Sequence, residues 1–335
     1  MFEVDDLSHA SPATVSRCGM VLLEAAQLGH NVLIVSYCNY LSTFLDKKVT
    51  DMIEALFHYV ADTSIEFTRK NCKFPCPGDG AFVTSHIIKY IDCYMEPYKP
   101  LGGDNDAIEI PKDIDERLIN SLMYATIWGI GGCIEELTRN KFDAFLKELI
   151  SGEDVITNHS LDLGDDKQGV YEAQKINIKM PDVPTVFDAY FDAEEMRWTP
   201  WLSTVPKYEI DKDQSYLQLT IPTTDSIRVN NLAITLLTNN KHCMLVGPTG
   251  TGKSVQINNM LKAKFDNNEW AHYVLGFSAQ TSANQTERII DGVMEKKRKG
   301  VYGPALGKEG VIFVDDLSMP QKGTYGAQPP IELLR

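Results

Sequence analysis

The chain has 335 residues, 43% of them hydrophobic and 23% charged, a globular balance long enough for two domains that excludes disorder as the main state. A formal net charge of -14 and a pI near 5.0 provide no general positive field, which argues against nucleic acid and anionic membrane as partners. No apolar run reaches the length of a membrane span, and the opening Met1-Phe2-Glu3-Val4-Asp5-Asp6 is acidic where a secretory leader is basic.

The seven cysteines are an odd, scattered set that reads as reduced, intracellular thiols. Cys72 and Cys76 are the closest pair, but no second pair at metal-ligand spacing follows, so burial explains them better than zinc.

Phe2 to Val4 reads as the end of a strand, so the chain is expected to be a piece of something larger. Ser11-Pro12 has the form of an N-cap and first-turn proline, opening a short helix that ends at Arg17. Cys18 to Leu23 then reads as a strand. Taken alone, Arg17 is a cation at a helix C-terminus or a partner in a surface ion pair.

From Ala25 to about Ile150 the pattern is mostly helical. Met52, Ile53, Leu56, Phe57 and Val60 follow the 3.6-residue period of a helix over Val49–Arg69. Further helices are predicted over Phe82–Met95, Asp115–Ile130 and Asn140–Ile150, and their apolar stripes read as core faces. Residues 151–206 are acidic, proline-bearing and rich in aromatic and β-branched types, which predicts strands and loops with a hairpin. Trp198 and Trp201 read as packing residues, because no cationic or phosphate-binding neighbours accompany them.

Pro222-Thr223-Thr224-Asp225 opens a predicted helix, Ile227–Leu237, leading to Cys243-Met244-Leu245-Val246, an apolar run of the kind that forms a buried strand. Next comes Gly247-Pro248-Thr249-Gly250-Thr251-Gly252-Lys253-Ser254, which matches the phosphate-binding pattern G-x-x-x-x-G-K-[ST]. Glycines let backbone N–H groups turn toward a phosphate chain, and the following helix, from Val255, presents its positive end to it. Lys253 would reach the phosphates and the Ser254 hydroxyl would ligate Mg²⁺. Without such a ligand the stretch is only a glycine-rich turn, but its flanks are the ones the motif requires.

His272–Phe277 reads as a second strand and Thr281–Lys299 as a helix. The closing basic run Glu295-Lys296-Lys297-Arg298-Lys299 would then be a solvated helix end favoured by the macrodipole, with an anionic partner as the alternative. Val311-Ile312-Phe313-Val314 ends in Asp315-Asp316, the arrangement of a Walker B strand. Asp315 is the candidate Mg²⁺ partner, and Asp316 stands where many such ATPases carry a water-orienting glutamate. Aspartate is one methylene shorter, so slow or absent hydrolysis is expected.

Together, Phe2-Glu3-Val4, Ala10 to Val21 with Ser16-Arg17, Gly247 to Ser254, Phe277 to Ser282 and Phe313 to Pro320 resemble a dynein heavy chain, closer to the axonemal than the cytoplasmic type. The resemblance spans essentially the whole chain. It implies an α/β fold made of AAA+ P-loop NTPase pieces with truncated parallel sheets and an α-helical lid domain between them. Residues 1–24 would be the C-terminal strands of the second AAA+ large subdomain and 25–150 its lid. Residues 151–206 would be a connector and 207–335 the N-terminal part of the third module.

Carried over by position, Gly247, Gly252, Lys253 and Ser254 match the third module's Walker A, and Asp315 and Asp316 its Walker B. Arg17 matches an arginine finger directed at nucleotide on the first module, a role that competes with the plain surface reading. The implied cofactors are ATP or ADP with Mg²⁺. The implied partners are the rest of the motor ring, other dynein subunits, and microtubules only through parts outside this chain. The implied location is the cytoskeleton of a ciliary or flagellar axoneme.

The family's strand order resembles 5-1-4-3-2, with the P-loop on strand 1 and Walker B on strand 3. The chain ends before strand 4, so unpaired strand edges, poor folding outside the full ring and little ATP hydrolysis are expected of it alone, with the lid, about 25–150, the best candidate for autonomous folding. Two functions compete: a nucleotide-binding regulatory module of the motor, or a structural ring segment that holds nucleotide permanently or not at all. A non-functional truncated product is a third possibility, and a stand-alone P-loop kinase or GTPase leaves half the chain unexplained.

Overall fold

The computed structural model describes residues 10–17, 19, 29–76, 78–100, 110–163, 176, 178–207, 221–265, 268–324 and 326–335. The strand expected at Phe2–Val4 lies outside the described residues, as does the one at 18–23 apart from Gly19. The chain divides into two compact units, Met1–Thr199 and Pro200–Arg335. No described helix is long and apolar enough to cross a membrane.

The first unit is helical. After α1 (Pro12–Arg17) come α2 (Asn31–Leu41), α3 (Lys47–Asn71), α4 (Gly80–Met95), α5 (Ile114–Gly129) and α6 (Glu136–Ser151). On α3 the periodic residues Ile53, Leu56, Phe57 and Val60 are buried, as the 3.6-residue spacing demands, whereas Met52 at the edge of the stripe is 36% exposed. Helix α4 begins two residues ahead of its apolar period because the Asp79 carboxylate accepts the Phe82 N–H at 2.7 Å and caps it.

Every residue of α5 from Asn120 to Gly129 is buried, so this helix is the centre of the bundle rather than one of its faces. Burial of each large apolar side chain there contributes about 1.5–3 kcal/mol. Helix α6 closes the core with Phe142, Phe145, Leu146 and Leu149.

A short helix α7 (Val155–Asn158) precedes the expected hairpin, formed by β1 (Ala189–Asp192) and β2 (Arg197–Pro200). The Trp198 indole donates to the buried Asn120 amide oxygen at 2.7 Å, and its ring packs beside Tyr124 and Phe191. It is therefore a packing residue with a satisfied polar end. Gly131 lies against the Phe187 ring, and a Cβ there would approach it to 2.5 Å. Gly131→Ala should accordingly lower stability by about 1–3 kcal/mol through overpacking, measured as a shifted urea midpoint.

The second unit opens with α8 (Trp201–Thr204) and α9 (Thr224–Thr238). Helix α9 starts within the expected opening at residues 222–225, where Thr223 and Ser226 form a reciprocal capping box. Then come α10 (Lys253–Lys264), β3 (Trp270–Gly276), α11 (Ala283–Val293), β4 (Glu295–Arg298), β5 (Val301–Gly303), β6 (Glu309–Asp315) and α12 (Pro329–Leu334). Strands β3 and β6 pair in parallel from Trp270↔Glu309 to Gly276↔Asp315. A small core of Ala233, Met260, Leu261, Phe265 and Val311 sets α9 and α10 against β6.

Two sequence expectations are corrected here. Cys243–Val246 forms no strand, and Met244 and Val246 are 66% and 61% exposed. An extended segment becomes a strand only with a hydrogen-bonding neighbour, and no described strand pairs with this one. The other correction concerns Thr281–Lys299, which is not one helix. Helix α11 ends at Val293, and the basic run becomes β4 of an antiparallel hairpin with β5. Consecutive like charges repel within a helix, while Gly300 at φ +77° supplies the left-handed turn that lets Val301 and Tyr302 return as a strand.

Candidate nucleotide site

Three segments of the second unit build the site: the loop Gly247–Gly252, the first turn of α10 and the C-terminal end of β6. Gly252 precedes the helix at φ +79°, a backbone state that a Cβ disfavours, and thereby sets Lys253 and Ser254 in the first turn. The N–H groups of a first turn have no partner inside the helix and face the positive end of its dipole.

The Lys253 ammonium donates to the carbonyls of Gly247 at 3.0 Å and Pro248 at 2.6 Å, and to the Thr251 hydroxyl at 3.3 Å. Thr251 in turn donates to the Pro248 carbonyl at 3.0 Å. The lysine is thus folded back onto its own loop, bonded to exposed groups that water can also serve. Thr249 and Gly250 form the exposed tip of that loop.

Ser254 donates its hydroxyl hydrogen to Asp315 Oδ1 at 2.8 Å, and the Asp316 N–H donates to the same oxygen at 3.1 Å. The two residues expected to share Mg²⁺ are therefore neighbours, although 61 positions separate them in the chain. Register produces this meeting. Asp315 lies opposite Gly276 at the end of the parallel pair, and its carbonyl accepts the Phe277 N–H at 3.0 Å. A hydroxyl and a carboxylate at this separation are hard oxygen donors that suit Mg²⁺, and the lysine with the α10 N-terminus suits phosphate.

Asp316 has φ +54°, an uncommon state for a residue with a side chain, and is exposed. Its carbonyl accepts the Met319 N–H at 2.9 Å, which makes the residue the start of a turn leaving β6. Arg17 ends α1 in the first unit, where it is exposed.

Sequence reading missed two supports. Gln328 donates to the carbonyls of Ser318 at 3.0 Å and Pro320 at 2.5 Å, and so braces the turn after Asp316. Gln256 donates to the Ser226 carbonyl at 3.0 Å and the Asn230 amide oxygen at 3.3 Å, tying α10 to α9. A lone glutamine carries no spacing signal that would reveal either contact.

Comparison with known proteins agrees with this geometry. The family description "P-loop containing dynein motor region" matches residues 208–335, and "Dynein heavy chain AAA lid domain" matches residues 53–203. Dynein axonemal heavy chain 1 is 34% identical in Mus musculus and 35% in Homo sapiens, each over the whole of this chain and 8% of the relative. Dynein axonemal heavy chain 12 of Mus musculus is 34% identical over the whole chain and 10% of its own length. The chain thus spans about a tenth of the length of the curated relatives it matches. With a P-loop at the start of α10, a parallel β3–β6 pair and a helical lid sequence before them, this chain belongs to the dynein heavy chain family, as part of its AAA+ motor region.

Proposed function

We propose that this segment is a regulatory nucleotide-binding module in the motor ring of an axonemal dynein heavy chain, serving ATP-driven, microtubule-based movement in cilia or flagella. The 2.8 Å contact between Ser254 and Asp315 carries the reading, because it joins the two halves of a Mg²⁺-nucleotide site across the sheet edge. Lys253 would leave its loop carbonyls for the phosphates of ATP or ADP, and the first-turn N–H groups of α10 would bind the same oxygens. Bound Mg²⁺ would supply charge neutralisation, held by Ser254 and Asp315.

Occupancy, rather than turnover, is the output on this reading. Asp316 is short, exposed and turned away from regular strand geometry, a poor platform for orienting water. The lid, the connector and the P-loop segment, with boundaries near 25–150, 151–206 and 207–335, are assigned to the second and third ring modules. Arg17 is assigned as the finger serving the first module's site. The rest of the heavy-chain ring is the direct partner, and microtubules are reached through other parts of the motor.

The self-satisfied Lys253 also suits a structural segment that exchanges no nucleotide. Metal dependence separates the readings. In the regulatory reading, chelating Mg²⁺ weakens binding of a fluorescent ADP at least about tenfold, a difference near 1.4 kcal/mol, and Asp315→Ala abolishes that sensitivity. Binding that ignores both changes would exclude the proposed metal site.

A further inference from the structure

The hairpin of β4 and β5 stands apart from the nucleotide site. In a chain of net charge -14, residues 295–299 place Lys296, Lys297, Arg298 and Lys299 in succession, all exposed, against the single carboxylate of Glu295. Lys297 is the one that Glu295 approaches, at 3.9 Å, while its stem lies over Gly303. Among the described residues, no ion pair holds Lys296, Arg298 or Lys299. Lys296 pairs across the hairpin with Tyr302 and Arg298 with Val301, which are 60% and 38% exposed. The β4–β5 sheet has two strands, so both of its edges are open among the described residues.

We propose that this hairpin is a docking finger for an acidic polypeptide segment, added as a third strand along β4. An added strand receives main-chain hydrogen bonds from the open edge and places alternate side chains on one face. The register shifts between Lys296 and Arg298, so that Lys296 shares a face with Tyr302 and Arg298 shares the other with Val301, and a segment with carboxylates at neighbouring positions offers one to each face. A polypeptide is favoured over a nucleic acid by the field around the finger. The chain as a whole carries a net charge of -14, so a long polyanion that outruns the four-residue strand meets net negative charge, whereas a short acidic segment is matched by the local cations alone.

Charges on an open strand also guard against edge-to-edge aggregation, and either sign serves that purpose. The double substitution Lys296→Glu/Arg298→Glu keeps the guard and inverts the proposed recognition. The test uses the 335-residue chain, fluorescence anisotropy and a labelled peptide with glutamates at consecutive positions. Controls are the glutamine version of that peptide, a single-stranded oligonucleotide of equal length and phosphatidylserine vesicles. The expected result is binding of the acidic peptide at least about tenfold tighter than the controls, weakened about tenfold by the double substitution with an unchanged far-UV circular dichroism spectrum.

Equal binding by the variant, tighter binding of oligonucleotide or vesicles, or no peptide binding would each overturn the proposal. A photo-crosslinker at Tyr302 in the complete heavy chain gives a second readout. Capture of a segment with clustered carboxylates supports the docking finger, and capture of anything else, or nothing, refutes it.

Discussion

Lys253→Ala should weaken nucleotide binding about 100-fold while leaving the fold intact. The ammonium makes three contacts in the resting site, to the carbonyls of Gly247 and Pro248 and the hydroxyl of Thr251, all exposed. Water replaces those contacts when the side chain is removed, so stability changes by under about 0.5 kcal/mol. The phosphates have no such replacement. Charge-assisted hydrogen bonds contribute about 1.5–3 kcal/mol each, and losing one or two of them corresponds to about 100-fold in affinity.

Titration with a fluorescent ADP, beside thermal melts of both proteins, measures the two halves of this prediction. Lys253→Arg is a sharper control, since it keeps the charge but places a planar fork where the loop accommodates a compact ammonium. If Lys253→Ala binds nucleotide as the parent does, and motility of the intact motor is unchanged, the segment is structural.

Phe145→Ala should destabilise the helical unit by about 3–5 kcal/mol, a large fraction of a domain's stability. Phe145 is fully buried on α6, with its ring 4.3 Å from Phe67, 5.9 Å from Phe142 and 5.5 Å from His159 by centroids. Three of these rings come from α3 and α6, so truncation removes burial and stacking at the point where those helices meet. The measurement is the midpoint of the helical circular dichroism signal in urea. A loss under about 1 kcal/mol would mean that the helices close over the gap and that this ring cluster does not anchor α6.

The helices were legible because burial imposes a period. Ile53, Phe57 and Val60 announce α3, and Leu118, Leu122, Met123 and Ile127 announce α5, although the burial of Asn120, Ser121 and Thr126 beside them is not visible in the apolar pattern. The start at Asp79 was less legible, since it depends on the single hydrogen bond from Phe82, whereas Thr223 stood in the expected opening of α9. The basic run 295–299 was misread as a helix end because charge count does not specify backbone. A glycine at φ +77° and two strand-forming residues after it decide for the hairpin.

The sequence by itself determined the chemistry available to this protein: a lysine and a serine after a glycine-rich loop, and an acid closing an apolar run. These are local properties, fixed by residue type and spacing. Only the tertiary structure decided that Ser254 and Asp315 meet at 2.8 Å, because parallel register and the packing of α10 on β6 set that distance. It also decided that Cys243–Val246, apolar enough for a strand, pairs with no strand among the described residues. A strand is a relation between two segments, and hydrophobicity supplies only one of them.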